Sequence, residues 1–349
     1  MNIVLSIPNF RTAGSQFVVL NLYELFKSFG HKTYILIEDK NWIFPGRVDQ
    51  NDQLVLPKKK NRKTKGKISY TLNLSNLLNR INCKIFHSWD YRSDPWEAIA
   101  CRLTGTKYVY TKKNNAWSKK WILKSCLANH IAYDNPRMGE TMLGRFKASK
   151  KSFIPHGIDT KVFYPGYDSI NHVIGCIGNV VENKNQLIIL KALSKLPKNI
   201  KVKFYGNSEP NYLRKLKKLI QQYNLINRVS FEGYVENDKL PQILHTLDAI
   251  ILPSFSEAFG VILIEAMACG TYCIASHSGG GTDYILGNGK YGGLFPPNDE
   301  DKLVSLVEEI YNNPKKIAYK KHLALKKVHN SFTIKNEAYK YLEVYHSLV

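Results

Sequence analysis

The sequence contains no apolar run of about 18 or more residues, which is the length that a transmembrane helix needs. Its six cysteines form no Cys-x-x-Cys pair and no cluster with metal-binding spacing. The N-terminus begins at once as an apolar strand, without the basic segment and small-residue cleavage site of a signal peptide. We therefore expect a cytoplasmic protein whose cysteines are reduced and buried in its core.

Acidic residues are scarce, and the balance of charge is strongly positive. The chain has 50 Lys and Arg residues against 28 Asp and Glu residues, a formal net charge of +22. The densest basic run is Lys58–Lys67. Three interpretations of this run stay open: a solvated loop, contact with an anionic membrane surface, and nucleic-acid binding. Nucleic acid is disfavoured because no helix-turn-helix, zinc-finger or aromatic-interleaved RNA motif is present.

The length of 349 residues predicts two domains, each with its own core. Short apolar strands alternate with longer helical patterns throughout, which favours a parallel α/β architecture. One series of strands begins at residues 2, 33, 85, 108, 131 and 152, and a second begins at 172, 202, 229, 249 and 272. We predict two Rossmann-like domains, 1–165 and 166–332, with a ligand cleft between them. The segment 333–349 reads as a final helix.

The segment 254–270 carries the most information about function. An apolar strand ends at Leu252, breakers follow it, and a predicted amphipathic helix over 259–268 stops at Gly270. The segment places Glu257 before the helix and Glu265 inside it, roughly 12 Å apart at the rise of a helix. That spacing exceeds the roughly 5–9.5 Å of a glycosidase pair. The spacing suits a long ligand with hydroxyls at both ends and a phosphate in the middle, held at the helix N-terminus. A nucleotide-sugar has that shape.

The full string Ser-x-x-Glu-x-Phe-Gly-x-x-x-x-Glu-Ala-Met-Ala-x-Gly resembles the paired-glutamate motif of retaining GT-B glycosyltransferases. The most similar family is glycosyltransferase family 4, also described as glycosyl transferases group 1. The resemblance implies the GT-B fold: two Rossmann-like domains with parallel sheets facing an interdomain cleft, and a C-terminal helix that crosses back onto the first domain. It also implies a nucleotide-diphosphate sugar as donor.

Further motifs extend the resemblance over residues 152–300. The segment 154–165 is similar to the linker between the domains of the family, with His156 in place of the usual Asn. The segment 178–186 resembles the diphosphate-binding loop, in which Lys184 is retained but Asn179 replaces the usual Arg. Asn207 matches the loop after the next strand, and Tyr234 and Val235 match a stretch that lies near the nucleotide base in the family. The run Ser278–Asp283 looks like Gly-Gly-x-x-Glu with Asp for Glu; a plain flexible turn is its alternative.

The resemblance assigns roles residue by residue. Glu265 would accept hydrogen bonds from the ribose hydroxyls, and Glu257 would hold hydroxyls of the donor sugar. The backbone around Phe259, Gly260 and Val261, together with Gly178 and Lys184, would stabilise the departing diphosphate. We expect no metal and no cofactor, because the helix dipole and Lys184 take the place of a cation.

The first half of the chain matches the family weakly. Gly14 stands in a loop that approaches the reacting sugar in the family, and Lys113 stands where many members have a His. His87 stands at the end of a predicted strand and is a further candidate on the acceptor side. Each residue also has an ordinary interpretation: a strand–helix turn for Gly14, a surface position for Lys113 and core packing for His87.

We therefore predict a metal-independent retaining hexosyltransferase that uses a nucleotide-sugar, preferably UDP-linked. Its acceptor is expected to be a glycan or a lipid-linked saccharide in bacterial cell-surface polysaccharide synthesis, such as lipopolysaccharide or capsule. Two alternatives stay open: a non-catalytic GT-B partner subunit, which Asn179 and the missing His favour, and a UDP-sugar epimerase of the GT-B fold.

Overall fold

The computed structural model describes residues 1–10, 15–38, 44–56, 64–114, 116–166 and 170–349. The chain divides into two compact units, Met1–His156 with Ile334–Val349, and Gly157–Thr333. The chain passes from the first unit into the second after His156, earlier than the predicted domain boundary after residue 165. Across the described ranges, no helix has the length and apolar character that crossing a bilayer requires.

The first unit is built on a parallel sheet of seven strands in the order β3-β2-β1-β4-β5-β6-β7. Most of these strands are buried on both faces, so their sequences read as continuous apolar runs. The strands are β1 (Asn2–Ile7), β2 (Lys32–Ile37), β3 (Gln53–Val55), β4 (Ile85–Ser88), β5 (Lys107–Lys112), β6 (His130–Tyr133) and β7 (Lys151–Phe153).

Helices cover both faces of this sheet. The helices that precede the second unit are α1 (Ser15–Ser28), α2 (Thr64–Arg80), α3 (Trp96–Thr104), α4 (Lys119–Leu127) and α5 (Met138–Thr141). One core contains residues of α2, α3 and α4 with Phe86 and Tyr108 of the sheet. A separate core contains residues of α1 with Ile35 and Ile85. The two faces of the sheet are therefore covered by different sets of helices.

The second unit contains a parallel sheet of six strands in the order β10-β9-β8-β11-β12-β13. Its strands are β8 (Val173–Ile177), β9 (Lys201–Tyr205), β10 (Val229–Gly233), β11 (Ala249–Leu252), β12 (Tyr272–Ser276) and β13 (Gly293–Phe295). Its helices are α6 (Gln186–Lys195), α7 (Pro210–Gln222), α8 (Leu240–His245), α9 (Val261–Ala268), α10 (Gly281–Ile285), α11 (Glu300–Asn312) and α12 (Pro314–Ser331).

The last helix, α13 (Ile334–Leu348), belongs to the first unit. Its residues Tyr341 and Tyr345 are fully buried in the same core as α1. The predicted α/β fold class with two Rossmann-like parallel sheets is confirmed.

Some elements were missed or misread at the sequence level. The strands β3 and β13 have three residues each, too few to show a periodic pattern. The helix α9 is buried on nearly all sides rather than amphipathic. Five cysteines are buried as expected, but Cys126 is exposed on α4.

Candidate functional site

The carboxyl ends of β8 and β11 form the topological switch point of the second sheet. From β8 the chain builds the sheet outward through β9 and β10, and from β11 it builds the other side through β12 and β13. Ligands of open α/β sheets bind where the strand order reverses. The predicted donor residues follow these strand ends: Gly178, Asn179 and Lys184 after β8, Asn207 after β9, Tyr234 and Val235 after β10, and Glu257 after β11.

The loop after β11 turns sharply into α9. Gly260 is the residue before the helix and has a φ of +98°, a left-handed conformation that favours glycine. The helix begins at Val261, so Glu257 lies in the loop and Glu265 about one turn inside the helix, roughly 6 Å along its axis. This geometry corrects the predicted helix over 259–268, and the 12 Å estimate that assumed helical geometry between the two glutamates no longer applies.

The N-terminus of α9 offers unsatisfied donors. Gly260 has no side chain that could accept hydrogen bonds from the first turn, and no side chain of the described residues caps this helix. The first N–H groups of a helix lack intrahelical partners and carry the positive end of its dipole. Phe259, just before the turn, is 2% exposed and anchors the loop in the core. The arrangement suits a phosphate.

Lys184 and Glu257 form an ion pair across the switch point, between Lys184 Nζ and Glu257 Oε2. The backbone around them is tied together, because Phe255 N donates to Asn183 O over 2.9 Å and Asn183 Nδ2 donates to Ser256 O over 2.9 Å. Ser254 Oγ also donates to Glu257 Oε2 over 3.3 Å. The side chains of Lys184 and Glu257 are 24% and 17% exposed, so both charges remain accessible to a ligand.

Glu265 is a buried carboxylate, 8% exposed. Burial raises its pKa to about 7. Burial is the only cause of this pKa shift, with no hydrogen bond or charge from the described residues contributing to it. A buried carboxylate in this state gains when a ligand supplies hydroxyl donors.

The loops after β8 and β9 pack directly against each other. Gly178 N donates to Tyr205 O and Val180 N donates to Asn207 O, both over 2.8 Å. Gly178 and Gly206 have φ values of +142° and +135°. Asn179 and Asn207 are exposed beside this contact. The two loops are therefore hydrogen-bonded to each other beside Lys184.

Replacing Gly206 with alanine is expected to destabilise the second unit. A Cβ at this position would lie 2.2 Å from Gly178 O, and the φ of +135° is itself unfavourable for alanine. We expect a loss of roughly 2 kcal/mol or more in the free energy of unfolding, measured by urea denaturation.

Gly178→Ala is the matched control for this prediction. Its φ is +142°, but nothing lies within 4 Å of the new Cβ. It should therefore show the backbone strain without the clash. Equal losses in the two variants would contradict the close contact of the loops.

The run Ser278–Asp283 packs against the Glu257 loop rather than forming a loose turn. Glu257 N donates to Ser278 O over 3.0 Å. Gly281 begins α10, and a Cβ there would lie 2.6 Å from Ala258 O. Asp283 pairs with the ring of His277. The glycine run thus positions the loop that carries Glu257, and sequence reasoning did not foresee His277.

Tyr234 and Val235 follow β10, two strands from β8. Tyr234 is 66% exposed, and Val235 is partly exposed. Gly206 N donates to Gly233 O over 2.7 Å, which ties this segment to the neighbouring loop. The exposed ring of Tyr234 offers an aromatic face at the same sheet edge as Lys184.

The model of the family described as glycosyl transferases group 1 matches residues 163–326. Residues 163–326 form a glycosyl transferases group 1 domain.

Similar proteins agree with this domain. A D-inositol 3-phosphate glycosyltransferase of Mycobacterium ulcerans is 27% identical over 165 residues, which cover 44% of this chain and 35% of the relative. The lipopolysaccharide core biosynthesis mannosyltransferase LpsB of Rhizobium meliloti is 27% identical over 214 residues, 56% of this chain and 60% of the relative. The chain thus spans about a third of the length of the first relative and less than two thirds of the second.

The same fold is found in the crystal structure of Anabaena HepE in complex with UDP and glucose. The TM-score is 0.84 at 17% sequence identity, and the alignment covers 99% of each chain. At this identity the similarity shows the fold and nothing finer.

Outside the group 1 domain, the structure places His87 in the core of the first unit. The ring is fully buried, with Nδ1 bonded to Tyr345 Oη at 2.6 Å and Nε2 bonded to Thr111 Oγ1 at 2.8 Å. Burial holds its pKa well below the ordinary value of a histidine. Both ring nitrogens are occupied, so we assign His87 to packing rather than to the acceptor side.

Lys113 is partly buried at the end of β5, not on an open surface. Its Nζ donates to Trp89 O over 2.8 Å and lies 5.0 Å from the centroid of the Trp89 ring. Burial lowers its pKa to about 8. Gly14 lies outside the described residues, as does the segment 57–63 of the basic run. An acceptor role for Lys113 and Gly14 stays a prediction.

The buried cluster around His156 was missed at the sequence level. His156 Nδ1 lies 3.0 Å from Glu337 Oε1 of α13, and Nε2 lies 3.3 Å from Asp134 Oδ2 after β6. These three residues are 181 and 22 positions apart along the chain. The replacement of the usual Asn by His156 was the only signal of it.

An Asp-x-Asp string is present at 299–301, at the start of α11. Asp299 Oδ1 accepts from Lys302 N over 2.8 Å as the helix cap. Glu300 and Asp301 both pair with Lys195, each at 2.6 Å. These carboxylates are engaged in capping and surface ion pairs. Independence from metal stays a prediction.

Proposed function

We propose that this chain is a retaining glycosyltransferase that moves a hexosyl group from a nucleotide-diphosphate sugar to a saccharide acceptor. The observation that carries the proposal is the Lys184–Glu257 pair at the switch point, next to the uncapped N-terminus of α9. Opposite charges and free N–H groups meet there, which is the arrangement that a sugar linked to a diphosphate requires.

Lys184 and the first turn of α9 would hold the diphosphate. An ammonium and a helix N-terminus both favour negative charge, and that charge grows as the glycosidic bond breaks. When a donor binds, Lys184 exchanges part of its contact with Glu257 for a phosphate oxygen. Gly178 and Asn179 would approach the same group through the backbone and a neutral amide.

Glu257 and Glu265 would hold the two parts of the donor on either side of the diphosphate. Glu257 is partly exposed beside Lys184 and would accept hydrogen bonds from sugar hydroxyls. Glu265, buried without an assigned donor, would accept them from the ribose. Asn207, Tyr234 and Val235, at the ends of β9 and β10, would contact the ribose or the base.

In the proposed reaction, the bond between the anomeric carbon and the phosphate oxygen breaks, and its electron pair stays on the diphosphate. The acceptor hydroxyl oxygen bonds the anomeric carbon on the same face, and its proton passes to an oxygen of the diphosphate. Glu257 would stabilise positive charge on the sugar, while Lys184 and α9 stabilise the leaving group. Groups that act on charge developed in the transition state raise kcat.

The donor class can be tested by thermal unfolding with UDP, UDP-glucose, UDP-N-acetylglucosamine, GDP and GDP-mannose. We propose UDP-linked hexose or N-acetylhexosamine, which agrees with the UDP complex of HepE. A ligand present at a concentration 100 times its Kd raises the free energy of unfolding by about 2.7 kcal/mol. If no nucleotide or nucleotide-sugar raised the Tm, the proposal would fail.

Nucleotide affinity is expected to rise with pH through Glu265. Its pKa of about 7 means that half of the empty sites are protonated near neutrality. Ribose hydroxyls donate to the charged form, so binding releases a proton, and we expect affinity for UDP to increase about tenfold between pH 6 and 8. The measurement is titration calorimetry in buffers of different ionisation enthalpy.

Glu265→Gln is the control for this pH dependence. It keeps the shape of the side chain but cannot titrate, so it retains only the dependence due to the phosphates of UDP. Identical pH profiles for the two proteins would remove Glu265 from the ribose site.

For the acceptor, we propose a glycan or lipid-linked saccharide of a bacterial cell surface. The supporting observations are the similarity to LpsB, a mannosyltransferase of lipopolysaccharide core biosynthesis, and the net charge of +22. A cytoplasmic enzyme with peripheral contact to the inner membrane face, through Lys58–Lys67 among others, fits such an acceptor.

A non-catalytic partner subunit is the second candidate, favoured by the neutral Asn179 in the phosphate loop. Such a protein would bind the nucleotide-sugar without releasing or transferring its sugar. Incubation with radiolabelled donor and a panel of saccharide acceptors separates the two, and conversion of the sugar to its epimer would indicate the epimerase alternative instead.

A further inference from the structure

The carboxyl end of β12 carries a histidine–aspartate pair that has no role in the reaction proposed above. His277 follows β12, and its ring Nδ1 is bonded to Oδ1 of Asp283 in the first turn of α10. The side chain of His277 is 49% exposed and that of Asp283 is 17% exposed. The histidine ring is therefore held from the protein side and reaches solvent on its other side.

Hydrogen bonds within the turn from β12 to α10 fix the two partners relative to each other. Thr282 Oγ1, next to Asp283, donates to Ser276 O at the end of β12 over 2.7 Å. His277 N donates to Phe295 O at the end of β13 over 2.9 Å, so its backbone continues the pairing of the sheet. The ring of His277 is thus fixed by its own backbone and by a carboxylate on a helix that is tied to the strand.

The same turn lies against the loop that carries Glu257. Ser276 Oγ donates to Ser254 O over 2.6 Å, and Glu257 N donates to Ser278 O over 3.0 Å. These two bonds involve the residues directly before and after His277. Because β11 and β12 are neighbouring parallel strands, His277 lies at the same edge of the sheet as Glu257, one strand further along.

The carboxylate determines which atom the histidine offers to a ligand. A carboxylate beside Nδ1 favours the tautomer that carries its proton on Nδ1, which leaves Nε2 of His277 as a hydrogen-bond acceptor. The second carboxylate oxygen, Asp283 Oδ2, is buried without a hydrogen-bond partner among the described residues. No described residue therefore holds the carboxylate from its other side, and its charge acts on the histidine.

The order of the strands indicates which part of the donor the pair meets. In the proposed site, Tyr234 after β10 contacts the ribose or base, Lys184 after β8 holds the diphosphate and Glu257 after β11 holds the sugar. The order β10-β9-β8-β11-β12 continues past Glu257 to His277, on the sugar side of the diphosphate. We propose that His277, positioned by Asp283, contacts hydroxyls of the transferred sugar and selects between hexoses. This inference rests on the proposed glycosyltransferase function.

A fixed acceptor nitrogen can distinguish one hexose from another. Glucose and galactose differ in the direction of a single hydroxyl, so a group held at one place bonds the hydroxyl of one sugar and misses that of the other. A site built to bond a hydroxyl disfavours a ligand that leaves its polar group unpaired. The alternative is an ion pair on the surface that contacts no ligand.

Calorimetric titration of the full chain with UDP, UDP-glucose, UDP-galactose and UDP-xylose tests the inference. The Kd of UDP reports on the nucleotide site, whereas the ratios of Kd among the three UDP-sugars report on contacts to the sugar. We expect the unaltered chain to prefer one of these sugars. His277→Ala should reduce that preference about tenfold, the effect of losing one hydrogen bond, and leave the Kd of UDP within about twofold.

Two further variants separate a contact with the sugar from a structural role. Asp283→Asn keeps the shape of the side chain but removes the charge that fixes the tautomer of His277, so the preference should fall about threefold. His322→Asn changes an exposed histidine on α12 in the same unit. This matched control should bind every ligand like the unaltered chain.

The other outcomes contradict the inference in distinguishable ways. An unchanged sugar preference in His277→Ala, or an unaltered chain that binds all three UDP-sugars with the same Kd, would overturn it and leave the proposed function standing. Equal losses of affinity for UDP and for the UDP-sugars would show that the pair only supports the Glu257 loop. Failure of UDP itself to bind would contradict the proposed function, and this inference with it.

Discussion

Replacing Glu257 with alanine should lower kcat for sugar transfer by about 10²–10³-fold, the loss typical of one preorganised electrostatic group in an active site. Affinity for UDP should not weaken, because the substitution frees Lys184 from its ion pair and leaves its charge to the diphosphate. The measurements are steady-state transfer kinetics and calorimetric titration with UDP. A fall in kcat without a loss of UDP affinity is specific to a group that acts on the sugar.

Lys184→Ala should give a different pattern. It removes the cation itself, so both UDP affinity and kcat should fall. Because the two side chains touch, the double variant should lose less than the sum of the single losses. Glu236→Ala, which breaks the exposed Glu236–Lys239 pair in the same unit, is the control and should leave transfer unchanged. Full transfer activity in Glu257→Ala would remove the catalytic assignment.

His156→Ala should lower the free energy of unfolding by about 3–5 kcal/mol, since it leaves two buried carboxylates without their shared cation. His156 is 3% exposed and lies between Glu337 and Asp134. Burial alone would lower its pKa, but the two carboxylates outweigh burial and raise the pKa to about 9. The histidine is therefore charged at neutral pH.

The pH dependence of this stabilisation has a definite sign. The pKa of His156 is higher in the folded than in the unfolded chain, so its contribution is complete below about pH 6.5 and is lost as pH rises through 9. Denaturation of the unaltered chain and of His156→Asn, at pH 6.5, 8 and 9.5, measures it. The difference between the two should shrink across this range, because asparagine does not titrate.

His130→Asn serves as the matched control. His130 is also buried in the first unit, but burial lowers its pKa to about 4, so it is neutral across the same range. Its replacement should give a stability loss that changes by less than about 0.5 kcal/mol between pH 6.5 and 9.5, because only the unfolded chain's histidine titrates near pH 6.5. If the difference between the unaltered chain and His156→Asn were equally flat, His156 would not carry a charge in the fold.

Local patterns were sufficient for much of the fold. Continuous apolar runs such as those of β1, β2 and β11 are buried on both sides in a parallel sheet, so composition identifies them directly. The helix α2 was not foreseen, since glycine, serine and threonine weaken its helical pattern and its stability comes from packing against α3. The strands β3 and β13 were also not foreseen, because three residues are too few to show a periodic pattern.

The sequence by itself determined the order of the long apolar strands and the string from Ser254 to Gly270, because both depend on neighbouring residues. Only the tertiary structure decided which distant residues meet. It paired Lys184 with Glu257, enclosed His87 between two hydroxyls and placed His156 between Asp134 and Glu337. The physical reason is that charge pairing and burial depend on separations in space, which no periodicity along the chain encodes.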